Sequence, residues 1–161
     1  MVVVSDTSVI SGLLIIERLS LLEQLFTRVM IPTAVYQELL ALEKYGYRTG
    51  ELMVDWIAVE SVEPNAVLHQ QLQALDAGEI EAIILAKQYQ ADWLLIDEKK
   101  GRLKAEELGL KIIGLLGILV KAKQEGYLSK VKSELDKLGS QAEFRMSQSL
   151  IELVLRTVDE L

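Results

Sequence analysis

Several residue types that support common enzyme chemistries are missing or rare in this chain. It has no cysteine, which excludes disulfides, thiolate metal sites and a cysteine nucleophile, and fits a reducing cytoplasm. His69 is the only histidine, and its polar neighbours place it on the surface of a predicted helix. A Ser-His-Asp triad would have to use His69, and no nucleophile elbow occurs in its sequence context, so no such triad is expected.

Other absences concern location and nucleotide binding. The longest apolar stretches, such as Ile112–Val120, are too short and too interrupted by glycine to span a bilayer. The start, Met1–Asp6, has no basic region, so we expect no signal peptide and a cytoplasmic protein. Neither a P-loop nor a Gly-x-Gly-x-x-Gly motif occurs.

Positive charge is also scarce relative to negative charge. The net charge of −7 repels nucleic acid, which argues against a simple nucleic-acid-binding module. It argues less against a nuclease, because bound divalent ions change the local field. A polybasic partner segment is equally compatible with this charge.

The apolar residues, half of the chain, are arranged as short strands that alternate with helices. At 161 residues the chain fits a single domain, 1–161, with residues 139–161 as a C-terminal helical extension. The alternation predicts an α/β fold with a parallel sheet covered on both faces. Strands are predicted at Met1–Ser5, Arg28–Ile31, Trp56–Val62, Trp93–Ile96 and Lys111–Ile113. Helices are predicted from Thr7 or Ser8 and over Leu19–Phe26, Pro32–Tyr45, Asn65–Ala74, Asp76–Gln90, Glu98–Leu108, Leu115–Glu125, Ser129–Leu138 and Ser147–Val158.

Four acidic residues occupy positions that such a fold would bring together. Asp6 and Asp97 each close an apolar strand, Glu38 lies within a helical apolar stripe, and Glu79 opens a helix. Ligands of open α/β sheets bind outside the carboxyl ends of the strands. Clustered carboxylates repel one another unless a cation neutralises them, and their hard oxygens suit Mg²⁺ or Mn²⁺. The pattern therefore predicts a metal-dependent enzyme.

Each of these carboxylates also has a purely structural interpretation. Asp6 and Asp97 can each cap the helix that follows, and Asp76 with Glu79 has the spacing of a capping box. Glu38 is harder to explain in this way, because burial beside apolar residues is costly without a partner; its structural alternative is exposure at the edge of the stripe. Glu81 points to a different side of its helix from Glu79, which favours a solvated or supporting role.

Basic residues follow the last of these acids. Lys99, Lys100, Arg102 and Lys104 can form either a solvated face or a contact for a phosphate-bearing substrate. Lys100 and Lys104 share a helix face, whereas Arg102 points elsewhere. The glycines of Gly114–Gly117 favour close helix packing over a phosphate cradle.

The ordered segments around these acids resemble those of PIN-domain proteins. The matching segments are Val3–Ser8, Ile31–Leu39, Asp76–Ala82 and Leu94–Glu98, and the resemblance extends over about Met1–Tyr127. The chain is most similar to a poorly characterised PIN-like branch related to VapC toxins. That branch also has an arginine and a Gly-rich apolar stretch after the last Asp, which match Arg102 and Ile113–Gly117.

The resemblance implies a Rossmann-like three-layer sandwich with four to five parallel strands, and Mg²⁺- or Mn²⁺-dependent hydrolysis of RNA. Its four acidic ligands fall on Asp6, Glu38, Glu79 and Asp97. Thr7 or Ser8 would support the metal shell and, with Lys99, Lys100 and Arg102, contact the substrate. Many relatives have Asp where this chain has Glu79, and Glu98 is the only candidate for a further acid.

The resemblance also implies partners. Relatives in toxin–antitoxin pairs are inhibited by a small antitoxin protein, and relatives with this motif set commonly form homodimers. We expect Leu21–Phe26 and Tyr36–Leu42 to carry a dimer contact. The alternative to a ribonuclease is a catalytically inactive PIN-like scaffold that holds RNA or a protein partner without cleaving it.

Overall fold

The fold is built on one five-stranded sheet in which all paired strands are parallel. The computed structural model describes residues 1–161. The strands, in chain order, are β1 (Val3–Ser5), β2 (Val29–Pro32), β3 (Ile57–Glu60), β4 (Trp93–Leu95) and β5 (Ile112–Ile113). Helices cover both faces, so the predicted α/β sandwich with four to five parallel strands is confirmed.

Nine α-helices connect and extend these strands. They are α1 (Thr7–Ile15), α2 (Ser20–Phe26), α3 (Thr33–Leu40), α4 (Ala66–Gln71), α5 (Ala77–Gln88), α6 (Lys99–Glu107), α7 (Leu115–Gln124), α8 (Val131–Gln141) and α9 (Gln148–Thr157). No helix combines the length and the apolar character that crossing a membrane requires.

The predicted helix from Pro32 to Tyr45 is wrong in its second half. Pro32 is the last residue of β2, and α3 ends at Leu40. The chain then tightens into a 3-10 turn over Ala41–Tyr45, which ends at Gly46 in the left-handed conformation. Glycine accepts that conformation at little cost, so it closes the turn. A second 3-10 turn covers Thr49–Leu52.

The sheet separates two hydrophobic cores, because successive strand residues point to opposite faces. Val3 and Leu95 contribute to the larger core, whereas Val4 and Leu94 contribute to the smaller one. Residues of α1, α2, α3 and α7–α9 fill the larger core, and residues of α5 and α6 contribute to the smaller one. Strands buried on both faces account for the continuous apolar runs in the sequence.

The helices expected to carry the dimer contact have several of their apolar side chains buried inside the protein. Leu21, Leu22 and Phe26 of α2 and Leu39 of α3 are buried in the larger core. Among the remaining apolar residues of this region, Leu25, Tyr36 and Leu42 pack only partly against it. A dimer formed through these helices therefore stays a prediction, with this partly exposed remainder as its contact.

The strand order determines where a functional site can form. The order is β3-β2-β1-β4-β5, so the chain runs outward from β1 to β3 and then returns to the other side of β1. The direction of the crossovers reverses between β1 and β4, and ligands of such sheets bind outside the strand ends at this switch point. Asp6 follows β1 and Asp97 lies two residues after β4.

Candidate functional site

Asp6 combines a helix cap with an unused carboxylate oxygen. Its backbone N–H donates to the Leu95 carbonyl at 2.9 Å, which fixes it against β4. Its Oδ1 accepts the Val9 N–H at 3.1 Å and caps α1. Its Oδ2 is buried and makes no hydrogen bond of normal geometry, although the nearby Asp97 N–H lowers the pKa of the carboxyl group. The capping interpretation and the site interpretation thus apply to different oxygens of one side chain.

Glu79 shows the same division between its two oxygens. Asp76 and Glu79 form a capping box: Asp76 Oδ1 accepts the Glu79 N–H at 2.9 Å, and Glu79 Oε1 accepts the Asp76 N–H at 3.3 Å. Glu79 Oε2 is buried without a partner. The box therefore holds the Glu79 carboxylate in place and leaves one oxygen free.

Glu38 is attached to the segment that carries Asp6. The Thr7 hydroxyl donates to Glu38 Oε2 at 3.2 Å, and Glu38 Oε1 is buried without a partner. Thr7 directly follows Asp6, so this hydrogen bond ties α3 to the end of β1. Thr7 thus holds a carboxylate in place, and its support of a metal shell stays a prediction.

Asp97 does not cap the helix that follows it. Residue Glu98 precedes α6, and no side chain caps that helix. Asp97 Oδ1 instead accepts the Leu115 N–H at 3.1 Å, at the start of α7. This contact joins residues 18 positions apart, so the local capping interpretation of Asp97 is wrong.

The unused oxygens are the feature that these acids share. Four buried side-chain oxygens have no partner, and three of them belong to Asp6, Glu38 and Glu79. Buried polar atoms are rarely left unpaired in folded proteins. The fourth belongs to Glu134, whose other oxygen accepts two hydrogen bonds from Arg18. Outside that salt bridge, the unpaired oxygens are thus confined to the predicted acidic site.

Their chemistry matches a hard divalent cation, which prefers oxygen ligands. As the side chains stand, however, no three acidic or histidine side chains are arranged around one point where a metal ion could bind. The donor types therefore fit Mg²⁺ or Mn²⁺, whereas the ligand geometry is not preassembled.

The electrostatics of the site disfavour its negative charges. Burial raises the pKa of Asp6 to about 8, and the charges of Asp97 and Glu79 add to the increase. Burial and the Asp76 charge raise the pKa of Glu79 to about 7. Burial also raises the pKa values of Glu38 and Asp97. A bound cation would relieve the cost of holding these groups ionised.

Three glycines give the carboxylates room, and the sequence analysis missed this role. A side chain at Gly78 would collide with the Glu38 carboxylate, and one at Gly101 would lie 2.6 Å from Glu79 Oε2. One at Gly114 would lie 2.8 Å from Asp97 Oδ1, so this glycine leaves space for a carboxylate. Because all three approaches join different elements, with residues at least 17 positions apart in the chain, no local signal marks them.

Glu81 supports the helix that carries Glu38. Its Oε1 accepts the Ala34 N–H at 3.0 Å, in the first turn of α3. No side chain of its own caps α3, because Pro32 precedes it. A carboxylate at a helix N-terminus satisfies a free N–H and interacts favourably with the helix dipole.

Replacing Glu81 with alanine should therefore lower the free energy of unfolding by about 1 kcal/mol, as for the loss of other N-terminal caps. Glu81→Gln keeps a carbonyl acceptor and should retain most of that stability. Urea denaturation of the two variants beside the unmodified protein measures the difference. An equal loss in both variants would contradict the capping role.

The basic residues after Asp97 do not form one patch. Arg102 Nη1 donates to the Ile96 carbonyl at 3.1 Å, and its charge lowers the pKa of the adjacent Asp97 in opposition to burial. Lys104 pairs with Glu107 at 3.5 Å. Lys99 and Lys100 are exposed in the first turn of α6. Of the predicted substrate contacts in this run, the two lysines are therefore the ones open to solvent.

The family profile that matches the sequence agrees with this architecture. The profile of the family described as DUF3368, a PIN domain, matches residues 2–160. No curated protein matches the sequence. A PilT N-terminus domain protein from the hyperthermophilic archaeon Sulfolobus solfataricus P2 is similar in structure: the TM-score is 0.49 and the identity is 19%, over 76% of this chain and 93% of that one.

Proposed function

Because the chain belongs to the PIN-domain family, we propose that it is a divalent-metal-dependent endoribonuclease that hydrolyses RNA phosphodiester bonds. PIN domains are a nuclease fold, and a nuclease of this kind needs an acidic metal site. Asp6, Glu38, Glu79 and Asp97 are the residues to which we assign that site. Within this function, the chain can serve as the toxin of a toxin–antitoxin pair, with a small antitoxin protein as its inhibitor.

The observation that carries the proposal is the set of unpartnered buried oxygens on Asp6, Glu38 and Glu79. A fold optimised for stability alone would pair such atoms or replace them, because a buried unpaired carboxylate is costly. Their position at the switch point of the sheet is where ligands of α/β folds bind. A cation bound at this position would offset the cost of burying the unpaired oxygens, and it would explain why they lie at the switch point.

The roles of the individual side chains follow from their contacts. Asp6 and Asp97 lie at the ends of adjacent strands and would be the principal ligands of Mg²⁺ or Mn²⁺. The Thr7 hydroxyl orients Glu38, and the Asp76 backbone orients Glu79. When bound, the metal would acidify a coordinated water and stabilise charge on the phosphate. The protein's own residues would hold and orient the metal, and the chain contains no cysteine that could act as a nucleophile.

Cleavage of labelled RNA tests the proposal. The protein should cut single-stranded or structured RNA in Mn²⁺ or Mg²⁺, and excess EDTA should stop cleavage completely. Restoring the metal in excess over EDTA should restore activity, which separates chelation from inactivation. Cleavage that persists at full rate in EDTA would contradict a metal-dependent mechanism.

The scaffold alternative is favoured by one observation, the absence of a preassembled three-ligand cluster. A scaffold would bind RNA or a protein partner and leave RNA intact under all metal conditions. The cleavage assay therefore separates the two functions directly, provided that binding is measured on the same preparation.

A further inference from the structure

A cavity of about 330 Å³ opens beside the acidic site. Asp97 and Glu98 form one side of it, and Ser8 and Ser11 of α1 form another. The third side comes from the segment that joins α8 to α9, through residues 142, 144 and 145. Asp97 thus belongs both to the proposed metal site and to the cavity wall. Whatever fills the cavity would lie directly next to the reacting phosphodiester.

The segment between α8 and α9 is anchored rather than loose. The Phe144 N–H donates to the Leu138 carbonyl at 3.0 Å. Ala142, Phe144 and Met146 pack against the larger core, while the alternate residues Glu143 and Arg145 are exposed. The alternation fixes the backbone of Arg145 at the rim of the cavity. The segment between α8 and α9 therefore places the cationic side chain of Arg145 at the edge of the cavity.

The Arg145 guanidinium has no partner within the chain. It takes part in none of the salt bridges and none of the side-chain hydrogen bonds, although Asp97 and Glu98 line the same cavity. Its five N–H donors are therefore free, and a guanidinium binds phosphate oxygens in a bidentate manner. On the opposite side, the Ser8 carbonyl accepts from the Ser11 hydroxyl, and the Ser8 hydroxyl takes part in none of the side-chain hydrogen bonds.

These groups match the parts of one RNA nucleotide. A free guanidinium suits the phosphate, an aromatic side chain suits the base, and a free hydroxyl suits the ribose 2′-OH. The cavity has the volume of a small-ligand site, roughly 300 Å³ or more. A folded partner protein would instead require a broad surface, so the dimensions favour a single strand that inserts one unit.

We propose that this cavity is the subsite for the nucleotide next to the scissile phosphodiester in single-stranded RNA. Arg145 binds a backbone phosphate of that nucleotide, Phe144 contacts its base, and the Ser8 hydroxyl contacts its 2′-OH. The proposal rests on the function proposed above, because the strand passes from this subsite to Asp97. It assigns a substrate contact to the C-terminal segment, outside the region of the family motifs.

Binding of a fluorescently labelled single-stranded RNA tests the subsite. Anisotropy measured in EDTA keeps the RNA intact and makes the readout independent of cleavage. Arg145→Ala should weaken binding roughly five- to tenfold and reduce the slope of log K against log salt by about 0.7, the value for one phosphate contact on a single strand. Ser8→Ala should reduce the preference for RNA over DNA of the same sequence by about two- to tenfold, since one hydrogen bond is lost.

Arg28→Ala is the matched control. Arg28 is also exposed and unpaired, and it lines a separate cavity beside the first residues of β1 and β2, at the opposite edge of the sheet. The same loss of charge there should change binding less than twofold and leave the salt slope unaltered. Equal effects of the Arg28 and Arg145 variants would overturn the proposal, as would undetectable RNA binding by the unmodified protein.

The result also separates this proposal from the proposed function. If the protein cleaves RNA with Mn²⁺ but Arg145→Ala binds RNA normally, the subsite is wrong and the ribonuclease function stands. If Arg145→Ala loses affinity but no RNA is cleaved under any metal condition, the cavity binds RNA without a scissile bond beside it, as a scaffold would, and the ribonuclease function is wrong.

Discussion

Asp6→Asn should reduce Mn²⁺-dependent RNA cleavage at least about 100-fold, and Asp97→Asn should do the same. Each change replaces an anionic oxygen with an amide and weakens the hold on the metal. Loss of a group that only orients a metal ligand costs roughly 10- to 100-fold in affinity or activity, so loss of a ligand should cost more. The measurement is the initial rate of cleavage at saturating Mn²⁺.

Thr7→Val should reduce RNA cleavage less than Asp6→Asn does. The change removes the hydroxyl that holds Glu38 Oε2 and nearly keeps the side-chain volume. Because Thr7 would orient a ligand rather than contact the metal, the expected loss is about tenfold, smaller than for Asp6→Asn. A larger loss in Thr7→Val than in Asp6→Asn would reverse the assigned roles.

Glu134→Gln is the control for burial. Glu134 is also a buried acid with an unpartnered oxygen, but Arg18 and Lys137 pair with it at a distance from the acidic site. The change should lower stability, because it breaks a buried pair. It should leave cleavage per folded molecule unaltered. If it abolished cleavage like Asp6→Asn, the site could not be confined to the four acids.

The second large effect is on stability in the absence of metal. The metal-free protein should become less stable as the pH rises from about 5 to about 8. Burial raises the pKa of Asp6 from 3.8 to about 8, so over this range the folded state binds more protons than the unfolded state. Stability then falls with increasing pH, and the stability that protonated Asp6 provides is fully present only below its unfolded pKa. Glu79, with a pKa raised to about 7, acts in the same direction.

Asp6→Asn should remove much of this pH dependence and stabilise the metal-free protein at pH 8. Asparagine can still cap α1 through its Oδ1, so the cap is kept and only the charge is lost. The gain is at most about 5 kcal/mol, because the pKa of Asp6 is about 8 in the folded state against 3.8 otherwise, and a tenfold change in proton affinity is worth about 1.36 kcal/mol. Chemical denaturation of both proteins at a series of pH values measures it.

Glu160 contributes to the pH dependence of stability in the opposite direction, but only at lower pH. Glu160 has a lowered pKa, because the N–H groups of Val131 and Lys132 and the ammonium of Lys123 outweigh its desolvation. Its contribution is present above its ordinary pKa of 4.5 and is lost as the pH falls further. Measurements above pH 5 therefore report mainly on the acidic site. Parallel curves for the unmodified protein and Asp6→Asn across that range would contradict the electrostatic account.

The fold was predictable because its signals are local and mutually consistent. Apolar runs such as Val2–Ser5 and Trp93–Ile96 alternate with helical segments, and that pattern alone indicates a parallel sheet. The helix after Pro32 was overextended because the 3-10 turn before Gly46 still has a helix-like sequence. The sequence therefore predicts the type of an element where the hydrophobic period is clear, but it does not predict where that element ends.

The contacts within the site were less predictable because they are non-local. Asp97 stands where a helix cap is expected, yet it accepts from Leu115 across the sheet edge. Arg102 has the sequence position of a substrate contact, yet it donates to the Ile96 carbonyl. Arg145 lies outside every recognised motif, and only the packing of Phe144 brings it to the cavity. In each case the tertiary structure determines which group the side chain meets, and residue type and local spacing do not reveal it.

The most direct measurement is the anomalous scattering of Mn²⁺ in crystals soaked with that ion. An anomalous difference peak should appear at the carboxyl edge of β1 and β4, in contact with carboxylate oxygens of Asp6 and Asp97. It should disappear in crystals of Asp6→Asn, while those of Glu134→Gln retain it. A map without a peak among Asp6, Glu38, Glu79 and Asp97, or with Mn²⁺ bound only elsewhere, would contradict the claim that these four acids form the metal site.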